Sequence, residues 1–66
     1  MNVIINGEAR QLAPGATVAH AVEAVTSATH GVAAAVNDEV VSRGAWDITP
    51  VAEGDRVEVL TAVQGG

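Results

Sequence analysis

The chain contains no cysteine and a single aromatic residue, Trp46. Its interior must form without disulfide staples, without thiolate-bound zinc and almost without rings. The same absence removes cysteine nucleophiles and side-chain persulfides from its chemistry. What remains for a core is small: 13 Ala, 12 Val, three Ile, two Leu and one Met among 66 residues. That length makes one domain, and a domain of this size buries only about 60% of the surface its unfolded chain exposes. An apolar fraction of 48% still favours a globular core over a disordered chain. Such a thin core relies on an efficient hydrogen-bonded framework.

Charge excludes further classes. Three Arg, no Lys and eight acidic residues give a net charge of -5. Nucleic-acid binding needs a cationic stripe to displace counterions, and three scattered arginines do not make one. An anionic membrane repels the chain for the same reason. No apolar run approaches the ~18 residues of a bilayer span. The opening Met1-Asn2-Val3-Ile4-Ile5 lacks the basic region of a secretory signal. The expectation is a cytoplasmic monomer with basic partners.

Local signals set the order of elements. The β-branched run over 2–6 ends at Asn6-Gly7, a pair suited to a tight hairpin. A returning strand over 8–12 is broken by Ala13-Pro14-Gly15. Thr17 is placed as a helix N-cap, with its hydroxyl toward a free backbone N–H. Val18, Ala21, Val22 and Val25 then share one helical face. The spacing predicts a helix over 18–28, stopped near His30-Gly31. Residues 32–36 read as a buried strand and Val40-Val41 as a short one after a tight turn. Residues 43–47 form a helical turn around Trp46. From Arg56 to Val63 the chain alternates, which predicts a strand with Val57, Val59, Thr61 and Val63 facing inward. A hairpin, one helix and a returning strand make an α+β layer pair. The expected fold is the β-grasp, or ubiquitin-like, arrangement: a mixed sheet of four to five strands with one main helix across one face. Residues 1–63 form that domain and 64–66 a flexible tail.

Catalytic constellations are absent. His20 and His30 are the only imidazoles and Ser27 and Ser42 the only serines, at spacings that support no triad. Two histidines ten positions apart make no metal motif. Gly15, Gly31 and Gly44 form no phosphate loop. No bound cofactor or metal is expected. The informative place is the end, where a strand is followed by Gln64-Gly65-Gly66. Terminal glycines bring no packing and lose the most entropy if ordered. As a reactive tail they have a use. A carboxylate becomes a good electrophile only as a mixed anhydride, and glycines thread a narrow active site at whatever φ it demands. Extended from Ala62, the tail reaches about 17 Å at roughly 3.4 Å per residue.

Asn6-Gly7, Val36-Asn37, Val41-Ser42-Arg43, Trp46, the run from Gly54 to Leu60 and the terminal Gln64-Gly65-Gly66 together resemble the sulfur carrier of thiamine biosynthesis, the ThiS family. The resemblance covers nearly the whole chain. It departs at Ser42, where the family usually has proline, and in a helix rich in Ala and Val where leucines are common. The resemblance implies a protein co-substrate rather than an enzyme. A ThiF-type adenylyltransferase, using ATP and magnesium, activates the carboxylate of Gly66. Sulfur from a persulfide donor replaces AMP and leaves a thiocarboxylate, which thiazole synthase consumes. Gly65 and Gln64 thread the partner's channel. The alternatives are a molybdopterin-synthase small-subunit-like carrier, a β-grasp interaction module with an inert tail, and a ubiquitin-like modifier.

Three further expectations concern surfaces. Outward-facing Ile4, Leu60 and Ala62 would form a small apolar docking patch at the root of the tail. Trp46 is expected as a lid over the core edge with its indole N–H at the surface, or else as an interface anchor. Arg43 is expected as a solvated charge or local ion pair, or else as a steering group for a partner. The acidic surface as a whole would attract a basic partner.

Overall fold

A computed structural model describes residues 1–62. β1 (Asn2–Ile5) and β2 (Glu8–Gln11) form the first hairpin. Its turn residues, Asn6 and Gly7, have φ of 52° and 84°. Two successive positive φ values match the right-handed twist of the flanking strands. The second hairpin, β3 (Val32–Val36) and β4 (Glu39–Val41), turns through Asn37 and Asp38 at φ 50° and 71°. Asn and Asp are the non-glycine residues that best tolerate this conformation. Between the hairpins in sequence lies α1 (Val18–Glu23). After β4 a 3-10 helix spans Arg43–Ile48, and β5 (Arg56–Thr61) completes the sheet.

The sheet order is β2-β1-β5-β3-β4, with β5 parallel to β1 and antiparallel to β3. This mixed five-stranded sheet falls within the four to five strands that the sequence predicts. Period-two alternation turns Val3, Ile5, Ala34, Val57 and Val59 to the helix side, where they pack with Val18, Ala21 and Val22. Ala16, Trp46 and Val51 close the rim. Ile5, Val3, Val18 and Val57 are the largest side chains below 2% exposure. Each such burial contributes about 1.5–3 kcal/mol. Among the described residues no polar or charged side chain is buried.

Three expectations are corrected. The helix ends at Glu23, not near Ala28. Val25 and Thr26 N–H both donate to the Val22 carbonyl in a tightened last turn, and Ala28 N–H donates to the Thr26 hydroxyl where a continuing helix would use the Ala24 carbonyl. Gly31 therefore stops no helix; it leads into β3. Inward burial along β5 ends at Val59, and Thr61, at the strand's end, is exposed. Finally, the Trp46 indole is buried and its N–H donates to the Val41 carbonyl at 3.0 Å. A buried donor needs an acceptor, and the end of β4 supplies one.

Candidate functional site

The tail follows β5, so the site begins with what holds that strand. β1 pairs Ile4 and Ile5 with Arg56 and Val57, then turns away at Asn6. Asn6 N–H donates to the Val57 carbonyl at 2.9 Å. Its side chain continues the ladder: Nδ2 donates to the Val59 carbonyl at 3.1 Å, and Oδ1 accepts from Val59 N–H at 2.8 Å. On the other flank Asn37 N–H donates to the Arg56 carbonyl at 2.8 Å, and its Oδ1 accepts from Arg56 N–H at 3.0 Å. Asn37 Nδ2 donates to Asp55 Oδ1, and Asp55 Oδ2 accepts from Ala52 N–H. Two turn asparagines thus clamp β5 from both sides. Sequence reasoning took them for turn formers only. The available signal was an amide at both turns where glycine would have met the backbone need.

At the far end of β5, Ala62 N–H donates to the Gly31 carbonyl at 2.7 Å. Gly31 holds φ 70°, and a Cβ there would lie 3.4 Å from the Ala62 methyl. The space would admit a Cβ in ordinary contact; it is the positive φ that favours glycine here. Arg43, on the 3-10 helix, sits with its guanidinium 5.4 Å from the centroid of the Trp46 ring. Its Nη1 donates to the Thr29 carbonyl. Arg43 is exposed, yet it is held by these two contacts, and among the described residues it joins no ion pair. The described ion pairs are Arg56–Asp38 at 3.3 Å and Arg10–Glu8 at 3.6 Å, exposed contacts of small energetic weight.

The expected docking residues are only partly brought together. Leu60, 69% exposed, lies opposite Ala33 on the outer face, and exposed Ala62 follows two residues on. Ile4 is also exposed, but its partner in the register is Arg56. That sets it four residues back from Leu60, about 13 Å along the strand at ~3.3 Å per residue. Outward Glu58 intervenes. Strand alternation fixes the face of Ile4; only the register fixes its distance. Val40, paired with Ala35 on the same face, is a large exposed apolar residue that sequence reasoning did not include. Gln64, Gly65 and Gly66, the expected reactive and threading residues, lie outside the described residues, as does Val63.

Both histidines serve local structure. His20 Nδ1 accepts from Thr17 N–H at 2.9 Å, the part Glu or Gln takes in a capping box. His30 Nδ1 lies 3.1 Å from the Thr29 hydroxyl. Among the described residues no group of three or more His, Asp or Glu is placed to hold a metal ion. None of the described helices is long and apolar enough to cross a membrane.

Residues 3–66 match the ThiS family. The sulfur carrier protein ThiS of Escherichia coli K12 is 32% identical, over the full length of both chains. The crystal structure of a thiamine biosynthesis protein, ThiS, from Geobacter metallireducens is 35% identical, covers both chains in full and superposes with a TM-score of 0.78. The solution structure of a thiamine biosynthesis protein from that organism gives a TM-score of 0.79 over all of this chain and 88% of the other. Together with the β-grasp sheet, these likenesses place the chain in the ThiS family, the non-catalytic sulfur carriers of thiamine biosynthesis.

Proposed function

We propose that this chain carries sulfur on its own C-terminus. The Gly66 carboxylate attacks the α-phosphorus of ATP in a ThiF-type adenylyltransferase, with magnesium held by that partner, and pyrophosphate leaves. The outer sulfur of a donor's persulfide then attacks the acyl carbon and AMP leaves; a thiol cleaves the resulting acyl disulfide, forming a disulfide with the donor's sulfur and releasing the thiocarboxylate. Thiazole synthase takes that sulfur into the thiazole ring of thiamine. The observation that carries this reading is that the family match runs through Gly66 and includes the Gly-Gly end. A sulfur carrier without cysteine needs a main-chain terminus for its cargo.

In this reading residues 1–63 are the body and 64–66 the arm that enters the partner. Gly65 and Gln64 thread the channel, and the adenylyltransferase docks on the outer face at Leu60 and Ala62. Ile4 lies at the far margin of that face. The protein works as a cytoplasmic monomer between its partners. The test is an intact mass after incubation with the adenylyltransferase, ATP and a sulfur source. A gain equal to one oxygen replaced by sulfur, mapped to Gly66, is the expected result. An unchanged mass, with an adenylyltransferase active on another carrier, overturns the proposal.

A further inference from the structure

We propose that Arg43 is a positioning residue for the tail: through the segment 29–31 it fixes where the C-terminus leaves the body. The inference rests on the adenylation proposal above. Its basis is a connected series of contacts. Trp46 is buried at 8% exposure and tied to the Val41 carbonyl, so its ring is a fixed platform. The Arg43 guanidinium lies over that ring and donates to the Thr29 carbonyl. Two residues later the Gly31 carbonyl accepts the Ala62 N–H, four residues before Gly66. Gly31–Ala62 is the rung after Val32–Thr61 and the last described rung on that side of β5. Terminal rungs open most easily, so one side of this rung must be held if it is to persist. Planar guanidinium both stacks on an aromatic face and donates in its own plane, which makes Arg suited to tie a loop carbonyl to a ring. A loosened root spreads the positions from which the carboxylate approaches the nucleotide, and such reactions are sensitive to placement at the scale of 1 Å.

The experiment compares wild type, Arg43→Ala and Arg43→Lys. Amide exchange is measured at Ala62 and Val59, and ATP–pyrophosphate exchange is measured with the adenylyltransferase at varied carrier concentration. In Arg43→Ala the Ala62 amide should exchange about five- to tenfold faster, with Val59 unchanged and the melting temperature close to wild type. The kcat should fall about fivefold with KM unchanged, the rate equivalent of one lost hydrogen bond. Arg43→Lys keeps a donor and a positive charge but not the planar stack, and should recover only part of the loss. Unchanged Ala62 exchange overturns the inference. So does a raised KM at constant kcat, which would make Arg43 a direct contact of the partner. Equal acceleration at Val59 would make it merely structural and also overturns it. If wild type supports no pyrophosphate exchange, the adenylation proposal fails by itself, and Ala62 exchange alone decides whether Arg43 holds the root.

Discussion

Asn6 performs two tasks that substitution can separate. It occupies the left-handed region at φ 52°, and its side chain makes two hydrogen bonds, of 3.1 and 2.8 Å, to the backbone of Val59. Asn6→Gly keeps the first task and removes the second. At about 0.5–1.5 kcal/mol for each bond, the expected loss is ~1–3 kcal/mol. Asn6→Ala removes both bonds and puts a Cβ where the left-handed conformation costs a further ~1–2 kcal/mol. Asn6→Asp still accepts from Val59 N–H, but it sets a carboxylate oxygen against the Val59 carbonyl and should fall below wild type. These losses are large for a domain whose stability is about 3–10 kcal/mol at ~0.05–0.15 kcal/mol per residue. Urea unfolding followed by circular dichroism measures them. With an m-value near ~1 kcal/mol/M, the midpoint of Asn6→Gly should drop by about 1 M or more. A midpoint for Asn6→Gly equal to wild type would show that the side-chain bonds add nothing. An Asn6→Ala no less stable than Asn6→Gly would show that the turn imposes no conformational demand.

Deleting Gly66 should leave the denaturation midpoint within the ~0.5 kcal/mol of a neutral surface change. The same deletion should abolish ATP–pyrophosphate exchange, because the carboxylate falls about 3.4 Å short. Leu60→Glu should fold normally and weaken binding to the adenylyltransferase, since it sets a charge in a desolvated contact; calorimetric titration checks this, and unchanged affinity removes Leu60 from the interface. Trp46→Phe loses the donor to the Val41 carbonyl together with part of the ring and should cost about 1–3 kcal/mol in a thermal melt.

Elements whose causes are local were legible in the sequence. Val3-Ile4-Ile5 before Asn6-Gly7, and Val57 with Val59 in alternation, carry their structure in adjacent residues, and the sheet forms as expected. The helix did not reach its expected length because its stop depends on the Thr26 hydroxyl and on valines that compete weakly for helix. The separation of Ile4 from Leu60 was hidden because register is a property of the paired strands. The contacts of Arg43 were hidden for a similar reason. Its partners, the Thr29 carbonyl and the Trp46 ring, meet only after folding. The Thr17–His20 pair was readable in principle, since threonine followed three residues later by an acceptor is the capping-box pattern.

The central place of β5 has a consequence for synthesis. The strand that joins the two hairpins is the last described element to leave the ribosome, and its partners in β1 were made some fifty residues earlier. Neither hairpin alone has a buried face large enough to stand, because an isolated two-stranded unit is marginal in water. A nascent chain released before residue 56 therefore has two halves and no sheet, and is open to proteolysis. A chain that has folded has therefore been translated through residue 61. Folding thus screens out chains that stop short of β5, and a folded body is a sign that synthesis has passed that strand.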